Sequence, residues 1–191
     1  MTRGSICVLP TGRPRPASMP ESLAAAVRTI ADFPKPGIQF KDITPILADA
    51  TLLRQAVKGL AEPWKHAGIT KVIGIESRGF ILGAMLADEL NAGFVPVRKQ
   101  GKLPFTTIRE SYELEYGTDT IEMHIDAVSE NDRVLIHDDV IATGGTAAAT
   151  HRLAQFAGAR VVGFSFLIEL GFLDGRVRLP VATDLHALLS Y

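Results

Sequence analysis

The chain has 191 residues, 47% of them hydrophobic, with 20 basic side chains against 21 acidic ones for a formal charge of −1. That length and composition suit one domain with a full core, and the even charge balance excludes a general binder of nucleic acid or of membrane surfaces. A single cysteine, Cys7, excludes an intrachain disulfide and fits a reducing, cytoplasmic setting, and no apolar stretch is long enough to span a bilayer.

Residues 1–20 carry Arg3, Arg13, Arg15 and four prolines. They lack the apolar core of a secretory signal and read as a flexible extension, with Met19 as a candidate start. Residues 21–31 predict a helix with Leu23, Val27 and Ile30 on one face. Residues 32–45, dense in Pro, Gly and Asp, read as a structured loop with one short strand at 38–40. A second helix is expected over 50–66, closed by Gly68 and carrying Trp64 at its surface. Residues 71–75 read as a short buried strand, 79–91 as a helix and 93–97 as the next strand. Residues 100–109 are loop-like, and 111–125 alternate as a hairpin turning near Tyr116, Gly117 and Thr118. A strand over 133–138, a helix over 146–158, a long apolar strand over 160–170 and an edge strand over 183–189 complete the chain. Strands alternating with helices predict an α/β fold, a mostly parallel central sheet flanked by helices. No repeat or linker divides residues 21–191, which read as one domain.

Residues 134–149, VLIHDDVIATGGTAAA, carry the most chemistry. The apolar start can cross a sheet interior. Asp138 and Asp139 then fall at the strand's carboxyl end, where open α/β sheets bind ligands. Gly144 and Gly145 permit positive φ and close backbone approach. The N–H groups of residues 143–146, with the following helix dipole, suit an anion. Two acids at a fixed spacing before Thr-Gly-Gly-Thr resemble the phosphoribosyl-diphosphate motif of type I phosphoribosyltransferases. Only His137 departs, standing where an aliphatic residue is usual, and it reads as a hydrogen-bonded interior histidine.

Three further segments narrow the resemblance to the adenine branch of that family: DFPKPGIQFKDITPIL at 32–47, ESRGF at 76–80, and VRKQGKLPFTTIRESYELEYG at 97–117. The resemblance implies a small hood and a flexible catalytic loop added to the sheet. It also implies transfer of a phosphoribosyl group from 5-phosphoribosyl 1-diphosphate to adenine. Asp138 and Asp139 would face the ribose hydroxyls, which suits acceptor-only carboxylates. Ala142, Thr143, Gly144, Gly145 and Thr146 would cradle the 5′-phosphate. Ser77, Arg78, Arg98, Lys99 and Lys102 would take the diphosphate, a task suited to forked and mobile cations. Gln39, Phe40, Lys41 and Leu170 would hold adenine. Glu115 would manage the proton at N7, with Tyr116 in the closing loop. Mg2+ would be held mostly through the substrate, as this ion's habit of few protein ligands allows. A homodimer is implied as well, with neither nucleic acid nor membrane as partner.

On local grounds alone, Arg78 reads equally as a surface arginine, the run 98–102 as a solvated loop, Glu115 as a solvated acid, and Phe40 and Leu170 as packing residues. The chain has no HExxH, GxGxxG or Walker sequence. Two rival functions remain: transfer to a 6-oxo purine, and a non-catalytic sensor of phosphoribosyl diphosphate. The retained Glu115 and the cationic loop favour turnover.

Overall fold

The structure, a computed structural model, describes residues 19–113 and 117–191. The expectations for residues 1–18, Glu115 and Tyr116 lie outside the described residues. Seven strands form one sheet in the order β5-β6-β4-β3-β7-β8-β9. β3 (Lys71–Ile75), β4 (Gly93–Lys99), β7 (Arg133–Ile141), β8 (Arg160–Glu169) and β9 (Asp184–Ser190) run parallel, with β3 and β7 at the centre. β5 (Thr107–Glu113) and β6 (Thr118–His124) form an antiparallel hairpin appended to β4.

The side-chain period of two puts each strand's apolar residues on both faces. On β7, Val134 and Ile136 join one buried cluster with α5 (Gly145–Phe156), while Leu135 joins the opposite cluster with α3 (Ala50–Ala61) and α4 (Gly79–Glu89). Both faces are therefore covered, as a parallel sheet requires. Helix α3 shows the local logic. Asp49 accepts hydrogen bonds from the N–H groups of Thr51 and Leu52 at 2.8 and 2.9 Å, capping the helix start. Ala56, Val57 and Leu60 then share the buried face. Each fully buried leucine there contributes about 1.5–3 kcal/mol relative to exposure.

Several expectations need correction. The first helix, α1 (Met19–Ala26), stops before the expected boundary, and Arg28–Ala31 is a strand, β1. It pairs antiparallel with β2 (Gln39–Asp42), so the strand expected at 38–40 lies one to two residues later. The i, i+3 spacing of Val27 and Ile30 suits a helix, and cross-strand pairing with β2 overrides it. Residues 107–109, expected in a loop, belong to β5, and α2 (Thr44–Ala48) begins inside the expected loop. Trp64 is not at a helix surface. It lies in a 3-10 turn and is buried at 5% exposure, against Gly163, where any added Cβ would collide with the ring. The edge strand near the carboxyl end is borne out by β9.

Candidate active site

The site lies beyond the carboxyl ends of β3 and β7. β7 delivers Asp138 and Asp139 there, the first half-buried and the second buried. Burial raises the Asp138 carboxyl well above the usual range, and the adjacent Asp139 charge raises it further. Burial also raises Asp139, against the pull of Arg78, whose Nε lies 2.9 Å from Oδ2. Arg78 stands immediately before α4. Gly79 lets that helix approach β7 closely, since a Cβ there would meet Asp138 Oδ1 at 2.8 Å. The guanidinium of Arg78 also lies over the Phe40 ring, 4.9 Å from its centroid. The expected diphosphate arginine thus bridges the acidic pair and the hood aromatic.

One cleft of about 440 Å3 brings together Gln39, Phe40, Lys41, Ser77, Arg78, Asp138, Asp139, Ala142 and Leu170. β2 and its antiparallel partner β1 form the hood, where Phe33 packs edge-on against Phe40 at 5.1 Å between centroids. Lys41 sends its side chain out of the cleft, to Thr29 Oγ1 at 3.0 Å and over the Tyr191 ring, leaving its main chain to the cleft. Beside it is a smaller cavity of about 90 Å3 lined by the turn 142–146 with Asp138 and Phe166. Gly144 caps α5 at φ 77° with no side-chain hydrogen bond, so the first N–H groups of a 12-residue helix face that cavity without a side-chain cap.

Arg98, Lys99 and Lys102 do not line these cavities. Arg98 meets Glu76 through Nε and Nη2 at 3.3 Å each, and Lys102 binds the same carboxylate. The Lys99 N–H donates to Glu76 at 3.1 Å, while its ammonium pairs with Asp119 at 3.0 Å. Burial would raise the Glu76 carboxyl, but hydrogen bonds from Lys102, Arg98 and the Lys99 N–H overcome it and hold it at about 2. Sequence reasoning misses Glu76. It borders the recognised Ser77-Arg78 pair and lines the same cleft, and that adjacency is the available signal.

His137 is fully buried beneath the acidic pair, and neither ring nitrogen has a well-formed hydrogen bond among the described residues, which corrects the expectation of a bonded histidine. Burial lowers its pKa to about 4, opposed only by the Ser165 backbone. A depressed histidine pKa makes folding favour the neutral ring. Stability from this group is therefore present above pH 6.5 and lost as pH falls toward 4. Between pH 6.5 and 5 the loss is on the order of 1–2 kcal/mol. His137→Leu is expected to flatten that part of the stability profile in urea unfolding at pH 7 and 5. Equal slopes for both proteins would remove His137 as the cause.

A small cavity at a helix start without a side-chain cap, next to paired acids and an aromatic roof, thus sits at the carboxyl end of a parallel sheet in an α/β protein. Residues 44–176 match the phosphoribosyl transferase domain family. The chain is 54% identical over 170 residues to the adenine phosphoribosyltransferase of Maricaulis maris, covering 88% of this chain and 97% of that one. It is 55% identical over 167 residues to that of Acidothermus cellulolyticus, covering 87% and 94%. Among solved structures, adenine phosphoribosyltransferase from Rhodothermus marinus aligns with a TM-score of 0.88 at 65% identity over 91% of this chain and 98% of its own. The enzyme from Giardia lamblia, complexed with 9-deazaadenine, aligns with a TM-score of 0.86 at 38% identity, covering 92% and 99%. The chain belongs to the phosphoribosyl transferase family, in its adenine phosphoribosyltransferase branch.

Proposed function

We propose that the protein transfers the 5-phosphoribosyl group from 5-phosphoribosyl 1-diphosphate to adenine, giving AMP and diphosphate in purine salvage. The observation that carries this reading is the shared cleft, which holds the acidic pair, the Ser77-Arg78 loop and the Phe40 hood beside the phosphate-sized cavity. The comparisons with adenine phosphoribosyltransferases support it.

In this reading the turn 142–146 grips the 5′-phosphate by main-chain N–H groups, aided by the Thr143 and Thr146 hydroxyls. Asp138 and Asp139 accept from the ribose hydroxyls, and their charge steadies the electron-poor ribose of the transition state. Adenine N9 bonds to the anomeric carbon as the bond to the diphosphate oxygen breaks, with inversion, and the electron pair leaves with the diphosphate. Arg78, Ser77, Arg98, Lys99 and Lys102 stabilise that leaving group. Serving it requires the Arg78 guanidinium to rotate off Phe40, which frees the ring for the base. Leu170 packs the base's other face. Main-chain groups at Gln39 and Lys41 read the exocyclic amine, because a carbonyl accepts from an amine but not from a 6-oxo purine. Glu115 accepts the proton that must leave the purine, with Tyr116 closing over it.

Among the described residues no three His, Cys, Asp or Glu side chains gather as a metal cage. The acidic pair alone suits Mg2+ held through substrate hydroxyls and diphosphate, where the ion would neutralise the leaving group. Residues 21–191 form the catalytic domain in this reading, and residues 1–20 an extension. We infer a cytoplasmic homodimer. The dimer rests on the family resemblance and the location on the single cysteine. No described helix is long and apolar enough to cross a membrane.

The test is turnover of phosphoribosyl diphosphate with adenine, hypoxanthine, guanine and xanthine. AMP from adenine alone is expected, and comparable rates with a 6-oxo purine would overturn the assignment.

A further inference from the structure

One contact joins the phosphate turn to the β5–β6 hairpin. Thr146 Oγ1 donates to the Tyr112 hydroxyl at 3.1 Å. Thr146 lines the phosphate-sized cavity. Tyr112 lies behind it, half-buried and packed against the core cluster of α5. Its ring passes over Gly145, where an added Cβ would meet Cδ2 at 3.4 Å. Across the β5–β6 register Tyr112 faces Asp119, whose carboxyl is held below its usual range by Lys99 first and by the phenol last. Asp119 in turn holds Lys99 at 3.0 Å and the Thr120 N–H at 2.9 Å.

A threonine hydroxyl has one proton. At rest that proton is committed to Tyr112, so Thr146 presents only lone pairs to the cavity, which repel a phosphate oxygen. The phenol has an alternative, because its own proton can turn from Asp119 to Thr146 Oγ1. Asp119 keeps Lys99 and the Thr120 N–H, so it tolerates the loss. Thr146 is then free to donate to phosphate, with its donor strength increased by the bond it accepts.

We propose that Tyr112 is a positioning residue for the 5′-phosphate, acting through the hydroxyl of Thr146. This deepens the proposed function and rests on the assignment of the turn 142–146 to that phosphate. Tyr112 touches no substrate atom in this scheme. Its ring fixes the hairpin against α5, and its hydroxyl sets which way Thr146 points its proton.

Tyr112→Phe keeps the ring and removes the hydroxyl. It is expected to raise KM for 5-phosphoribosyl 1-diphosphate and Kd for AMP by about 5- to 10-fold, in line with the loss of one typical hydrogen bond. kcat is expected to stay within about twofold, and affinity for adenosine, which lacks the phosphate, to stay unchanged. In a Thr146→Val background the same substitution should add less than about twofold, because the relay is already broken. Thr146→Ser should retain near-native AMP affinity. Unchanged KM and AMP affinity in Tyr112→Phe would overturn the inference, as would an undiminished effect in the Thr146→Val background or equal weakening of adenosine. Native AMP affinity in Thr146→Val alone would also overturn the inference, by removing the Thr146 hydroxyl from the phosphate site, while the main-chain assignment of the turn would stand; loss of AMP binding in Gly144→Ala tests that assignment separately.

Discussion

Asp139→Asn is expected to cut kcat by about 10²- to 10³-fold while leaving the thermal midpoint equal to or above that of the native protein. The magnitude is that of removing one preorganised group aimed at charge developing in the transition state. The sign on stability follows from the acidic pair. Both carboxyls are partly or wholly withdrawn from water, which raises their proton affinities, with Asp139 adding to the rise at Asp138. Groups raised in this way contribute stability below the ordinary carboxylate range. They lose it as pH rises through their folded values, so ionisation of the pair opposes folding. Asparagine removes one carboxyl and with it that share of the opposition. It also frees Arg78 from its 2.9 Å partner, and that side chain is 38% exposed and open to solvent. Steady-state kinetics and calorimetry on one preparation would read both effects. Undiminished turnover would take Asp139 out of the ribose site.

Gly144→Ala should be the most disruptive single substitution in the phosphate turn. Gly144 has φ 77°, and a Cβ there would collide with the Gly175 carbonyl oxygen. A left-handed alanine costs about 1–2 kcal/mol before any clash, and the collision is with backbone, which cannot rotate away. Destabilisation of about 3 kcal/mol or more and a greater than tenfold rise in KM for phosphoribosyl diphosphate are expected. Gly145→Ala is the internal control. Its Cβ would meet Tyr112 and Arg178 side-chain atoms at 3.4 and 3.5 Å, within ordinary contact. Chemical denaturation of the pair should separate them by about 2 kcal/mol or more. Equal stabilities would show that the backbone of residues 144 and 175 yields more easily than the geometry implies.

The parts of the fold legible from sequence are those set by local period and punctuation. β3, β7 and β8 are apolar runs bounded by polar residues, and α3 carries its own cap at Asp49. The hood is not legible, because β1 exists only by pairing with β2, in a register that runs from Arg28 opposite Asp42 to Ala31 opposite Gln39. Nothing in the four residues Arg28–Ala31 taken alone chooses strand over a continued helix. The acidic pair and glycine turn read as neighbours because they are consecutive on one strand and its turn. The cleft that joins them to Gln39, Phe40 and Leu170 depends on the sheet order, which no local spacing records. Glu76 and Tyr112 escape notice for the same reason. The partner of the first lies 22 residues along the chain and that of the second 34.

The hold of Glu76 on Arg98 and Lys102 has a consequence for selectivity among anions. Those cations already own a counter-anion, so an arriving ligand must displace a carboxylate rather than settle on a bare positive patch. Such ion exchange favours a multivalent, chelating leaving group over orthophosphate or a simple carboxylic acid, which offer less charge for the same displacement. In the proposed function, the resting protein would thereby keep its cations from abundant small anions and yield them to diphosphate.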